Sequence, residues 1–272
     1  MKRLFLLTAL LAFLFACTTE PATEPITKAH LFTNNTWAPE FLKGQVKSYE
    51  FRAYWVTEEN GEYIQGAAIT QKERDSIGWA DDCIVYFDEN GMAKKTKNLG
   101  DDDVVLSYMK THIENGVYVK AEFFENDTLS SLWKISHDDA GHILKMEQRR
   151  MPEDTLVNTY NFIYDEKGNW ISGYWTDYLG EKGWSNTFEL NEAGLVLFNE
   201  NTNPKDEKAS WNKYSYDENG FMVKWEGLNS DSSAIEIVQK YTKVDEMGNW
   251  VVMITIDKGQ LIGMDVRTID YY

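Results

Sequence analysis

The sequence predicts an all-β protein: an antiparallel meander of repeated β-hairpins, with a period of about 26 residues, forming a curled sheet, shell or barrel-like array. Three observations predict it. A short frame, Tyr164-Asp165-Glu166-Lys167-Gly168-Asn169-Trp170, recurs along the chain. The residues flanking each copy alternate apolar and polar. Looser polar breaks stand midway between copies.

The frame returns as Tyr216-Asp217-Glu218-Asn219-Gly220 and as Val244-Asp245-Glu246-Met247-Gly248-Asn249-Trp250. Degenerate copies are Phe87-Asp88-Glu89-Asn90-Gly91, His137-Asp138-Asp139-Ala140-Gly141 and Leu190-Asn191-Glu192-Ala193-Gly194. With Gly116 included, the glycines at 91, 116, 141, 168, 194, 220 and 248 lie 25 to 28 residues apart. Asp-x-x-Gly between alternating runs is a turn with a mechanism: the Asp side chain bonds backbone two residues on, and Gly takes positive φ. The pattern fits a type I turn with a glycine bulge.

One residue before each Asp or Asn stand Phe87, His137, Tyr164, Leu190, Tyr216 and Val244. Three before stand Val85, Ile135, Phe162, Phe188, Tyr214 and Thr242. This is a largely apolar face of period two. Three residues after the Gly come Leu144, Ile171, Leu197, Val223 and Val251, read as a second apolar column, with Lys94 the exception in the first repeat. The midway breaks, such as Leu179-Gly180-Glu181-Lys182, Asn203-Pro204-Lys205-Asp206 and Asn229-Ser230-Asp231-Ser232, make each unit two strands and two turns.

In chain order, residues 1–16 read as a lipoprotein signal peptide. Lys2 and Arg3 precede a short apolar run, Leu4 to Phe15, and Leu14-Phe15-Ala16-Cys17 resembles a bacterial lipobox. Cys17 then carries the acyl chains, palmitate among them, that anchor the protein to the membrane. Residues 17–40 read as the lipidated cysteine and a flexible tether, rich in Thr, Glu and Pro. Residues 41–272 read as a single hairpin-repeat domain. A long strand ends at the turn Glu58-Glu59-Asn60-Gly61, a strand follows from Tyr63 to Ile69, and Gln71 to Gly78 is a polar loop or short helical turn. Around sixteen strands are expected, in a sheet that must curl, close or cap its edges.

Tyr-Asp-x-x-Gly-Asn-Trp at this period resembles the YD repeats of the rearrangement-hotspot (Rhs) family, and most of all the short YD-repeat lipoproteins common in Bacteroidota. The resemblance covers roughly residues 80–272 and implies a curled hairpin array in the cell envelope, at the outer membrane, facing the periplasm or the exterior. It implies no activity. Large Rhs proteins encapsulate a toxin domain, a role not expected of a chain this short.

Lys and Arg number 27 against 44 Asp and Glu, a net charge of −17, which loss of Lys2 and Arg3 makes more negative. Such a chain is not expected to bind nucleic acid or an anionic membrane surface. Asp101-Asp102-Asp103 reads as a solvated loop. Cys83 is expected as a buried, inert thiol, since Cys17 is used for lipid. No nucleophile elbow, zinc-protease helix, phosphate loop or dinucleotide fingerprint occurs. His137 and His142 flank one turn with Asp138 and Asp139, but read as strand imidazoles. No catalytic residue, cofactor or metal is expected; a carboxylate-based hydrolase is the weakest alternative. The unusual feature is aromatic content, with Trp 10, Tyr 15 and Phe 13. Trp170, Trp175 and Trp250 are the candidate ligand-binding residues, Trp170 and Trp250 on the face opposite Ile171 and Val251. They form either core or a platform for a glycan. The expected function is a non-enzymatic binding or scaffolding surface, with a glycan or an envelope protein as partner.

Overall fold

A computed structural model describes residues 26–28, 41–79 and 81–272. The signal peptide, Cys17 and the tether, apart from its short strand Ile26–Lys28, lie outside the described residues. The strands are β1 (Ile26–Lys28), β2 (Phe41–Lys43), β3 (Val46–Glu59), β4 (Glu62–Ala68), β5 (Asp82–Phe87), β6 (Ala93–Leu99), β7 (Val105–Glu114), β8 (Val117–Glu125), β9 (Thr128–His137) and β10 (Ile143–Arg150). They continue as β11 (Thr155–Tyr164), β12 (Trp170–Asp177), β13 (Lys182–Leu190), β14 (Val196–Thr202), β15 (Lys208–Tyr216), β16 (Met222–Leu228), β17 (Ala234–Val244), β18 (Trp250–Asp257) and β19 (Gln260–Tyr271). One helix, α1 (Gln71–Ile77), lies between β4 and β5.

Among the described residues, β3 and β5 through β19 form a closed antiparallel ring of sixteen strands. The first half of β3 pairs with β5, Ser48 to Phe51 against Tyr86 to Cys83. Its second half pairs with β4, so the β3–β4 hairpin shares that edge. The ring closes where β19 meets β3, from Met264 opposite Tyr54 to Tyr271 opposite Val46. β1 and β2 form a separate two-stranded piece.

The turns that repeat in sequence lie on one rim, and each is tied the same way. In Asp165–Gly168 the Asp165 Oδ1 accepts from the N–H groups of Lys167 and Asn169, both at 2.9 Å. The Gly168 N–H donates to Asp165 O at 3.0 Å, and the Asp165 N–H to Asn169 O at 2.9 Å. Asp88, Asp138, Asn191, Asp217 and Asp245 repeat the pair of side-chain bonds. The opposite rim uses the same backbone knot at Asp177–Gly180, Asn203–Asp206 and Asn229–Ser232. Gly168 stands at φ +81, whereas the equivalent positions on the far rim include Asp206 at φ 61 and Ser232 at φ 65.

Each glycine bulge shifts the register by one residue. The residue opposite the one before the Asp is therefore two after the Gly: Phe87 faces Ala93, Tyr164 faces Trp170, Leu190 faces Val196 and Val244 faces Trp250. The second apolar column of the sequence is thus displaced by one. Ile143, Val196 and Trp250 are buried, while Leu144 and Leu197 are exposed. The repeated tyrosine gains a role from the same register. The Tyr164 hydroxyl donates to Ile143 O at 3.0 Å and the Tyr216 hydroxyl to Val196 O at 2.8 Å, each strapping a hairpin to the preceding one.

The insertion between β4 and β5 is held by a buried charge cluster. α1 opens with a capping box at Thr70 and Glu73 and ends at Gly78 in the left-handed region. Arg74, 1% exposed, donates through Nη1 to Ile69 O at 2.7 Å and pairs with Asp82 at 2.9 Å. Asp82 accepts from the Ala53 N–H at 3.0 Å, and Arg52 joins it to Asp103. Part of the acidic loop therefore clamps the insertion. Trp79 lies over Gly263 and its Nε1 donates to Asp265 at 3.1 Å.

Two outcomes follow from the turns. Gly168→Ala should cost about 1–2 kcal/mol and Ser232→Gly should gain about 0.5–1 kcal/mol in a denaturant titration, because only Gly takes left-handed φ without strain. A gain on Gly168→Ala or a loss on Ser232→Gly would refute the shared-turn assignment. The side chains of His142 and Asn169, followed by their N–H groups, hold the Asp138 and Asp165 carboxyls below the ordinary aspartate value of 3.8. A depressed carboxylate stabilises the fold above its unfolded value and loses that contribution as pH falls through its folded one. The melting temperature should thus be flat between about pH 5 and 7 and fall below about pH 4. Asp165→Asn, which keeps the acceptor, should flatten that fall.

Candidate functional site

The registers divide the ring wall into two faces. Starting at Tyr49, Phe51 and Ala53, one face runs through Val85, Thr96, Asn98, Met109, Ala121, Trp133, Ile135 and Met146. It returns to Asp265 and Arg267 opposite Ala53 and Phe51. This face holds both apolar clusters and most of the buried residues, so it is the inner one. The other face carries Lys95, Lys110, Lys120, Glu122, Lys134, Glu147, Glu200, Lys213, Lys224 and Glu226 and is the outer wall.

Between β9 and β17 the inward positions at mid-strand are Trp133, Gln148, Asn158, Tyr160, Trp175, Asn186, Asn199, Asn201, Ser210, Asn212, Tyr214, Trp225, Ile237 and Gln239. None of them is Asp, Glu, Lys or Arg. Their amides and rings are wired together. The Tyr160 hydroxyl donates to Asn186 Oδ1 at 3.0 Å, Asn212 Nδ2 to Asn199 Oδ1 at 2.9 Å and Trp225 Nε1 to Asn212 Oδ1 at 2.8 Å. Burial pushes the Tyr160 and Tyr214 phenols up to about 12, so both remain neutral donors at ordinary pH. Trp133, Tyr160, Trp175, Tyr214 and Trp225 stay half-buried on this inner face.

Glycine makes room for two of these groups. A Cβ on Gly183 would stand 2.4 Å from the Trp175 indole, and one on Gly227 would stand 2.7 Å from Asn212 Oδ1. The small residue lets the neighbouring ring or amide lie flat along the wall.

The three candidate tryptophans all lie on the inner face, in two different settings. Trp170 packs among Tyr160, Phe162 and Phe188, with ring centroids 6.4, 5.3 and 4.5 Å away. Trp250 is 5% exposed, and the Arg267 guanidinium lies 3.6 Å above its ring. These two build the wall near the repeat-turn rim. Trp175 stands in the amide belt, directly across from Tyr160. The Asn belt was missed in the sequence, although it sits five residues before the turn in several repeats, at Tyr160, Asn186 and Asn212. Cys83 is half-buried on the inner face. His142 Nδ1–H donates to Asp138 Oδ2 at 2.9 Å, and the ring stacks on Tyr164. Among the described residues no group of three or more His, Cys, Asp or Glu is placed to hold a metal.

Fold and wall together define a closed sixteen-stranded β-barrel whose interior is aromatic and amide-lined, and uncharged at mid-strand from β9 to β17. No family model and no curated protein matches the chain. Among solved structures, a porin-like protein from Bacteroides uniformis ATCC 8492 is similar, with TM-score 0.53 and 9% identity over 83% of this chain and 96% of that one. A porin-like protein from Bacteroides vulgatus ATCC 8482 matches at TM-score 0.34 and 9% identity, over 84% of this chain and 99% of that one. A TcdB2-TccC3-Cdc42 complex matches at TM-score 0.33 and 11% identity, over 82% of this chain and 12% of that one. At this identity the first likeness is one of fold alone.

Gly183→Ala should displace the Trp175 indole from the wall and cost about 1–3 kcal/mol. The tryptophan emission maximum should shift to the red; an unchanged spectrum would mean that the ring does not rest on Gly183.

Proposed function

We propose that this protein is an envelope lipoprotein of the YD-repeat type, held at the outer membrane through Cys17, whose barrel is a non-enzymatic binding surface. The observation that carries the reading is the sorting of charge across the wall from β9 to β17: uncharged amides and rings at mid-strand inside, lysine and glutamate outside. A membrane-spanning barrel carries an apolar band outward, and an outward Lys at the bilayer midplane costs about 2–4 kcal/mol. The outer wall thus supports a barrel standing in water beside the membrane, with a lipid as its anchor. The description porin-like belongs to the similar structures; it supports an envelope address here and not a pore.

The amide belt favours a neutral glycan as the occupant. Half-buried indoles and phenols stack on sugar rings, and Asn and Gln side chains match hydroxyls that both donate and accept. The non-enzymatic reading draws support from the acids. Those with depressed pKa sit in turns, in the α1 capping box or in ion pairs, and Asp82, pushed up by burial, is bound to Arg74 and Arg52.

Cys17→Ser should move the full-length protein from the membrane to the soluble fraction. Retention in the membrane after alkaline extraction would overturn the tethered reading. The detergent-solubilised protein should bind members of a neutral oligosaccharide panel, with quenching of tryptophan emission. Trp175→Ala and Trp225→Ala should each weaken that binding by about tenfold. A blank panel would remove the glycan reading and leave a protein partner.

A further inference from the structure

The outer wall carries a second surface of different chemistry. Its outward residues on β6 to β8 include Lys95, Lys97, Tyr108, Lys110 and Phe124. Lys95 and Lys110 are direct cross-strand partners, like charges in an arrangement that ordinarily destabilises a sheet. Elsewhere on the wall several lysines have a carboxylate partner, Lys120 with Glu122 at 2.7 Å, Lys145 with Glu147 at 2.5 Å and Lys224 with Glu226 at 2.8 Å, while Lys134 and Lys213 stand singly near those pairs. Among the described residues, Lys95, Lys97 and Lys110 have no carboxylate at salt-bridge distance. Glu122 lies across from Lys110 but is engaged by Lys120 and His112. Asp127 acts on the Tyr108 hydroxyl and, from beyond salt-bridge distance, on Lys95.

The three ammoniums rest on rings instead. Lys95 Nζ and Lys110 Nζ lie 4.8 and 5.4 Å from the Tyr108 centroid, and Lys97 Nζ lies 5.6 Å from that of Tyr86. Tyr108 stacks on Phe124 at 4.6 Å. Lys94, Lys95, Lys97, Lys110 and His112 line a depression of about 440 Å³ there. Burial first, then Lys97 and Lys110, pulls the Lys95 ammonium below the ordinary lysine value.

We propose that this depression binds a compact dianionic oxyanion, the phosphate of a phosphate monoester. The rest of the wall shows what a carboxylate does: it neutralises one lysine. Three ammoniums around one depression match a group of charge near −2 with several terminal oxygens. The chain as a whole, at −17, repels a long polyanion. A small anion, screened beyond about 8–10 Å, responds to the local lysines alone.

The test is calorimetric titration of the full-length protein in detergent with glucose 1-phosphate, inorganic phosphate, glucuronate and glucose. Both phosphates should bind, less tightly as salt rises; glucuronate should be about tenfold weaker and glucose silent. Lys95→Gln and Lys110→Gln should each weaken phosphate binding by about tenfold. Lys95→Gln should also raise the melting temperature, because it removes the like-charge pair. Tighter binding of the sugar phosphate than of inorganic phosphate assigns the monoester, and equal binding assigns the phosphate group that both share. Absence of phosphate binding, binding that survives both substitutions, or glucuronate binding as tightly as phosphate would each overturn the proposal. Lumen substitutions such as Trp175→Ala leave this binding unchanged.

Discussion

The seam between β19 and β3 is the constraint on which the rest of the barrel depends. Every other neighbouring pair in the ring is a hairpin or near-hairpin, close in sequence and cheap to close. This pair joins the last strand to the first long one, across 222 residues at Ser48 and Asp270. Without it the meander would end in two long unpaired edges, and strand edges recruit other chains. The seam is accordingly built with more than ladder bonds. Arg267 lies 4.9 Å from the Tyr49 ring and 3.6 Å from the Trp250 ring, joining β3, β18 and β19. Asn249 takes both the N–H and the carbonyl of Lys43 and donates to the Tyr271 hydroxyl. The Tyr272 hydroxyl reaches Phe87 O on β5.

Closure also gives the two wall faces different meanings. In an open sheet both faces are wet, and alternation settles only which residues share a side. In a ring, one side becomes a lumen whose residues crowd together, and the other becomes a convex wall with room for long charged side chains. Lysine stems fit the outer wall because they spread over neighbouring residues while their heads stay in water. Asn, Trp and Tyr suit the inside, where rings pack along the wall and amides find partners in the adjacent strand.

The strand count, the turns and the near-absence of helix were legible because they rest on local chemistry. Asp88, Asp165 and Asp245 write their own turns, and the 25-to-28-residue spacing counts the hairpins. Which residues face the lumen was only half legible. The columns before each turn, such as Phe162 and Phe188, could be read by alternation. The column after it could not, because the glycine bulge moves Val196 and Trp250 inward and Leu197 outward, and a bulge is a pairing event between strands. The second set of turns looked loose because Asp206 and Ser232 occupy left-handed positions where glycine was the expected signal. Closure left no local trace at all. The Asn belt was hidden for a further reason: Asn186, Asn199 and Asn212 read singly as turn or surface residues, and they become a belt only when three strands are laid side by side.

The distribution of charge argues that the lumen and the outer depression are separate devices. A chain of −17 has ample acid and base to place anywhere, yet the inner middle of β9 to β17 holds none. A charged solute entering that belt would give up water and meet only dipoles already committed to one another, as Asn212 is to Trp225 and Asn199. A neutral, hydroxyl-bearing solute would exchange water for rings and amides at little cost. The outer depression has the reverse bias, since its lysines strain against each other until an anion arrives. Because the strand backbone separates the two, Thr96 and Asn98 pointing in where Lys95 and Lys97 point out, substitutions on one face change side chains that the other never touches. Two ligands of opposite character can therefore be held by one barrel wall without sharing a single side chain.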